Sequence, residues 1–172
     1  MRQIKINSTT GSEIITTNDV KNFVRIDTSA DDALIGTMIT AARIAAENFM
    51  SRDIVAKTRT YYLPSVRLDL LIDVPFGPIA SIQSVTGTVD NTALTYNVFG
   101  LDDKIVELIG EAVNVKINYT TAGMNDGLLK QALLMMVSTY YDNRTDYVTG
   151  TIVQDVPSSA QSILNGYKAM FV

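Results

Sequence analysis

The stretch that most constrains this chain is residues 16–51, TTNDVKNFVRIDTSADDALIGTMITAARIAAENFMS, which reads as a short helix, a tight turn and a long Ala-rich helix. Its counterpart lies far down the chain, where residues 128–144, LLKQALLMMVSTYYDNR, carry a complementary apolar face. Between the two, residues 54–120 change to the period of two that marks extended chain. Two helical blocks flanking a strand-rich block meet in space and carry the strands as an insertion. The expected class is α+β: a helical bundle built from the N- and C-terminal segments, 16–51 and 124–170, with a small antiparallel β-sheet or sandwich inserted at 54–120. A length of 172 residues suits one domain spanning 1–172, at about 150 residues per domain.

The helical punctuation is legible. Thr16 and Thr17 are N-cap candidates, and Asp19 stands in the first turn where its charge suits the helix dipole. The helix over 18–25 presents Val20, Phe23 and Val24 inward. Ser29, followed by Asp32, reads as the cap of the long helix. Along that helix Leu34, Met38, Ala42, Ala45 and Phe49 form one apolar row, and Ile35, Ile39, Ala46 and Met50 a second. Gly36, Thr40, Arg43 and Glu47 form the polar row. A helix apolar over more than half its circumference is buried, in its own core or against a partner subunit. Asn125 or Asp126 caps the next helix, with Leu129, Leu133, Met136 and Tyr140 on one face. Residues 145–157, TDYVTGTIVQDVP, read as a loop or arm. Ser158 or Ser159 then caps a last helix through Ala169, with Ile163, Leu164 and Tyr167 as its apolar side.

Six short strands are expected. Residues 1–15 alternate weakly and read as an edge strand or an arm. From Ile54 to Tyr61 polar and apolar residues alternate as on an edge strand, and Pro64 ends it. Residues 68–74, 79–89, 93–99, 105–108 and 113–119 complete the set, with turns at the Pro75-Phe76-Gly77-Pro78 cluster, at Asp90-Asn91 and at Gly100 with Asp102-Asp103.

Composition narrows the chemistry. The chain has no Cys, which excludes a disulfide framework, a thiolate zinc site and a thiol nucleophile together. It has no His, which removes the commonest general base and metal ligand and makes a Ser–His triad impossible. With 14 basic and 18 acidic residues, net charge −4, it lacks the cationic surface that drives tight nucleic-acid binding. The first residues, MRQIKINSTTGSE, carry no apolar core of the signal-peptide kind, and no apolar run approaches the ~18 residues of a membrane span. A cytosolic protein, or a component of an extracellular particle assembled in a cytosol, is expected.

No phosphate-cradling glycine motif and no EF-hand pattern occurs. Asp31-Asp32 reads as a solvated first helical turn, and Asp102-Asp103 as turn residues chosen for backbone reasons. No catalytic residue, cofactor site or metal ligand set is assigned. Arg43 and Glu47 stand four apart and admit two readings: a helix-surface pair worth ~0.3–0.5 kcal/mol, or a subunit contact. The apolar end, Met170-Phe171-Val172, is a poor solvent-facing surface that a partner would hide.

The order of these segments resembles the head–tail connector (adaptor) proteins of tailed bacteriophages and related prophages, in the longer form with an inserted β region. Val20, Lys21, Val24, Arg25, Ile26 and Asp27 match that family's early motif, with Val24 where Leu is usual. Asp31, Asp32, Leu34, Ile39, Ala41, Ala42, Arg43 and Glu47 match the long helix. Gly77, Pro78, Ile79, Ser81 and Ile82 match a Gly-Pro turn, and Tyr141, Asn143 and Arg144 a helix end. The resemblance covers most of residues 16–170; residues 1–15 match nothing in it.

The resemblance implies a structural virion protein, not an enzyme. It forms a ring, usually of twelve copies, at the head–tail junction, docks on the portal protein and presents a platform to tail-completion, stopper or tail proteins. DNA passes through the lumen without being read, no membrane is involved, and assembly takes place in the host cytoplasm. By the same analogy Ile152, Val153, Leu164, Tyr167, Met170 and Phe171 are portal-contact candidates, and removal of residues 164–172 leaves a folded protein that no longer joins the portal. The alternative is a monomeric α+β module that binds a small ligand or peptide through its strand-rich part.

Overall fold

The helical periodicity and the period-two block become two compact units, Glu13–Ile54 with Asn125–Val172, and Met1–Ser12 with Val55–Met124. The computed structural model describes residues 1–67, 70–87, 91–143 and 158–169. Among them are four helices and eight strands in two antiparallel sheets, the α+β class expected from the sequence.

In the helical unit, α1 (Thr17–Val24) starts at a full capping box. The Thr16 hydroxyl accepts from the Asp19 N–H, and the Asp19 carboxylate accepts from the Thr16 N–H at 2.7 Å. Val20 is buried, whereas Phe23 of the expected inward face is substantially exposed. The long helix α2 (Asp32–Met50) starts two residues later than the Ser29 cap implies. Its N-cap is Asp31, whose side chain caps nothing and instead accepts from the Tyr141 hydroxyl at 2.7 Å. Its buried face is Ile35, Ile39, Ala42, Arg43, Ala46, Glu47 and Met50, so half of the presumed polar row is interior and Leu34, from an apolar row, is exposed. Asp126 caps α3 (Gly127–Asp142) by accepting from the Leu128 N–H at 2.8 Å. Leu129, Ala132, Leu133, Met136 and Val137 of α3 are buried, as are Ala160 and Leu164 of α4 (Ser158–Asn165), which packs chiefly on α3. The chain after α4 is tied back by the Ala169 N–H to the Met50 carbonyl at 2.9 Å.

In the strand-rich unit the five-stranded sheet runs β1 (Gln3–Thr9), β2 (Lys57–Val66), β8 (Ala112–Thr121), β4 (Ile79–Gly87), β5 (Thr92–Ala93). The edge is therefore β1, and β2, expected at the edge, lies between β1 and β8. Pro64 does not end β2: pairing with β8 continues through Ser65 and Val66. Pairing with β1 stops at Tyr62, and where one side of a strand is open a missing N–H is tolerated. The second sheet runs β3 (Leu71–Asp73), β7 (Ile105–Leu108), β6 (Tyr96–Phe99). The single strand expected over 93–99 is thus two, broken at Leu94-Thr95 and assigned to different sheets, with the Leu94 N–H bonded to the Val85 carbonyl and the Thr95 carbonyl to the Ile109 N–H. The two sheets share one core, in which Ile72, Val106 and Leu108 of the smaller meet Leu63, Val85, Val115 and Ile117 of the larger. Tyr119 is wholly buried there and its hydroxyl donates to the Pro75 carbonyl at 2.9 Å.

Candidate assembly interface

The polar groups of the helical unit are tightly organised. Arg43 is 7% exposed and Glu47 4%. Arg43 Nε donates to both oxygens of Glu13 at 3.0 and 2.9 Å, and Nη1 donates to Glu47 Oε2 at 2.8 Å. Glu47 Oε1 accepts from the Ile54 N–H at 3.0 Å, and Glu13 Oε1 also accepts from the Thr40 hydroxyl. Burial alone would lower the Arg43 pKa. The hydrogen bond that Arg43 donates to Glu13, with the attraction of both carboxylates, outweighs it and raises the pKa, so the guanidinium is a fixed cation. Of the two sequence readings of Arg43 and Glu47, the intrachain pair is present. It is not a helix-surface pair but the middle of a buried network that ties the chain before α1 and the chain after α2 to one helix.

Two tyrosines hold the ends of α3. Tyr141 reaches Asp31 as described, and the Tyr167 hydroxyl donates to Asp126, the cap of α3. That bond from Tyr167, followed by the one from the Leu128 N–H, keeps the Asp126 carboxyl below its ordinary range, and Asp126 in turn raises Tyr167. Of the portal-contact candidates, Tyr167 is half-buried and engaged with Asp126, and Leu164 is fully buried in the helical unit. Ile152, Val153, Met170 and Phe171 lie outside the described residues. Beside α1 an open hollow of about 400 Å³ is lined by Ile15, Asp19, Asn22, Phe23, Lys130 and Leu134.

The strand-rich unit carries what the sequence reading passed over. All seven residues of β1 are exposed, Ile4 and Ile6 among them. On the smaller sheet the register sets Leu71, Glu107 and Asn97 in one row and Asp73, Ile105 and Phe99 in the next, on the side away from the buried Ile72 and Val106. Leu71 and Phe99 there, and Leu101 in the following turn, are exposed. Alternation of side chains across the pleat, applied to the correct strand boundaries, was the signal available for both surfaces. Among the described residues no group of three or more His, Cys, Asp or Glu side chains is placed to hold a metal ion, and no helix is long and apolar enough to cross a membrane.

A family model described as "Head completion protein" matches residues 13–170. The chain belongs to the head completion protein family. Its fold recurs in a chain of the virion of a native gene transfer agent (GTA) particle, at a TM-score of 0.77 and 16% identity over 99% of this chain and 97% of the other. It recurs in the neck of an empty GTA particle computed with C6 symmetry at 0.76, with the same identity and coverage. In the neck of a native GTA particle computed with C12 symmetry the TM-score is 0.66 at 16% identity, over 96% and 97% of the two chains. No curated protein matches the sequence. The likeness to connector proteins drawn from residues 20–47, 77–82 and 141–144 is therefore met at the level of family. As a head completion protein the chain is a structural particle component of the head–tail connector kind.

Proposed function

We propose that this head completion protein forms a ring-shaped connector of twelve copies, docked on the portal protein at the head–tail junction, with DNA passing through its lumen to the tail. The whole chain acts as one connector-type subunit assembled in the host cytoplasm, has no enzymatic activity, and offers its far side to tail-completion, stopper or tail proteins. The observation that carries this reading is the full-length likeness of fold to chains of particle necks computed with six- and twelve-fold symmetry. A net charge of −4 suits a lumen that does not grip DNA. Within this reading the portal contacts are the segments bearing Ile152, Val153, Met170 and Phe171, together with Tyr167. Leu164 shapes the platform from inside the helical unit, and Arg43 and Glu47 set the subunit surface by fixing α2.

The test is native mass spectrometry of the chain mixed with the portal protein of the same genome. One copy bound per portal subunit is the expected result. A chain that stays monomeric, with no complex at any ratio, refutes the proposal and favours a ligand- or peptide-binding module.

A further inference from the structure

The strand-rich unit carries two exposed surfaces of opposite character. On β1, Ile4 and Ile6 are 41% and 49% exposed. They pair with Tyr61 and Arg59 and so stand on the core-facing side of the larger sheet, at its uncovered margin. Arg2 lies beside them at the start of the strand, Lys5, paired with Thr60, stands on the opposite face, and residues 1–12 contain no acid. On the outer face of the smaller sheet, Leu71, Phe99 and the turn residue Leu101 are 55%, 50% and 88% exposed. Ile105 lies directly beside Phe99 and diagonally from Leu71. This apolar diagonal is set among Asp73, Glu107 and Asp102, and Lys104 within it turns back to the Gly100 carbonyl. Clustered exposed apolar side chains mark interaction surfaces. One of these is apolar and basic, the other apolar and acidic.

We propose that the two surfaces are partners in successive copies of this chain: β1 of one copy packs its Ile4 and Ile6 against Leu71, Ile105 and Phe99 of the next, with Arg2 facing Asp73 and Asp102. The proposal rests on the ring reading above and names the contact that closes the ring. Two different patches that fit each other make a head-to-tail contact, the kind that generates rings when the rotation closes, whereas a patch that fits itself stops at a dimer. The contact is made by side chains rather than by adding a strand to the sheet. Lys5 and the register shift between Ile6 and Ser8 are features that discourage strand addition at an edge.

The test reverses the charges of one surface at a time, using exposed residues whose replacement leaves the core intact. Arg2→Glu gives one variant, and Asp73→Lys with Asp102→Lys the other. Each alone is expected to raise the concentration for half-maximal ring formation, free or on the portal protein, by about 10- to 100-fold, because like charges brought together across an interface repel. Mixed in equal amounts the two variants are expected to recover rings, since their surfaces become complementary when copies alternate around an even-numbered ring, and the combined variant is expected to recover them unaided. Circular dichroism and thermal melts confirm that each variant is folded. Ring formation unaffected by either reversal overturns the proposal, as does a mixture of folded variants that stays dispersed. Rings that form normally but fail to join portal or tail assign the patches to another protein, and also overturn it. If the unaltered chain itself forms no ring under any of these conditions, the ring reading fails first and this contact with it.

Discussion

Replacing Arg43 by Met tests whether the buried network belongs to the fold or to an interface between subunits. The substitution keeps most of the side-chain volume and removes the guanidinium that bonds Glu13 and Glu47. Glu47, whose side chain is 5% exposed, keeps its bond from the Ile54 N–H but loses the bond from the Arg43 guanidinium. Breaking a buried pair by removing one partner costs about 3–5 kcal/mol. The Glu13 contact adds less, because that carboxylate is 30% exposed and screened by water. For a chain of this length the loss corresponds to a fall in melting temperature of about 10 °C or more, read by circular dichroism on the chain by itself. Adding Glu47→Gln neutralises the carboxylate that faced Arg43 and keeps an acceptor for the Ile54 N–H. The double variant is therefore expected to be more stable than Arg43→Met alone, by about 1–3 kcal/mol, the range of coupling seen for contacting residues. A single variant that melts within ~0.5 kcal/mol of the parent, as surface changes do, refutes the reasoning. If that variant instead loses only ring formation, Arg43 works between subunits.

Leu164, wholly buried against α3, makes residues 164–172 a poor truncation: Leu164→Ala is expected to cost about 2–5 kcal/mol and removal of the whole segment to unfold the helical unit by circular dichroism. Removing only residues 170–172 is expected to leave the melt unchanged, and is the cleaner probe of portal binding. Thr16→Ala takes away the hydroxyl half of the α1 capping box, leaving the backbone N–H bond to Asp19, and is expected to cost about 0.5–2 kcal/mol, measured by urea denaturation; an unchanged midpoint contradicts the cap. Acid stability follows from Asp19, held below its ordinary pKa first by the Thr16 N–H, and from Asp126, held there first by Tyr167. Both groups have native values below their unfolded ones, so their stabilisation is present above about pH 4 and is lost as pH falls through the depressed native values; Asp126→Asn is expected to flatten that acid limb in a pH series of melting temperatures. Tyr167, raised by Asp126, acts in the opposite direction: its contribution is present below the ordinary tyrosine range and is lost as pH rises through the raised value, a limb that Tyr167→Phe removes.

The helices were legible because capping and periodicity are local. Thr16 with Asp19, and Asp126 before an apolar run, are decided within a turn of chain, and both caps stand where their residue types imply. The long helix shows where locality ends. Arg43 and Glu47 are polar by type, and periodicity places them with Thr40 on a polar row. What buries them is Glu13, thirty residues earlier in the chain, and the Ile54 N–H beyond the helix end. No spacing rule connects those positions, so a reading from the helix alone assigns the pair to solvent or to a partner. The same reasoning explains Ser29. It is a good cap by type, but Asp31 is fixed by Tyr141 from another helix, and α2 begins after it.

Strand identity was legible and strand neighbours were not, and the surfaces follow from the neighbours. The alternation of Lys57, Arg59 and Tyr61 with threonines is the same whether the strand is an edge or an interior one. Two long-range facts decided it: β1 pairs along it, and Arg59 is covered by the Phe76 ring at 4.0 Å from its guanidinium. Once β1 takes the edge, Ile4 and Ile6 become the exposed apolar residues and Arg2 beside them acquires a meaning. Once the 93–99 segment splits between two sheets, Phe99 is set beside Ile105 and Asp73 rather than continuing β5. An assembly surface of this kind is written in register, which depends on which strand lies next to which, and a single sequence does not specify that order. The family resemblance located function in surfaces. The pairing of surfaces proposed above is drawn from the strand order, and the charge reversals at Arg2, Asp73 and Asp102 test it.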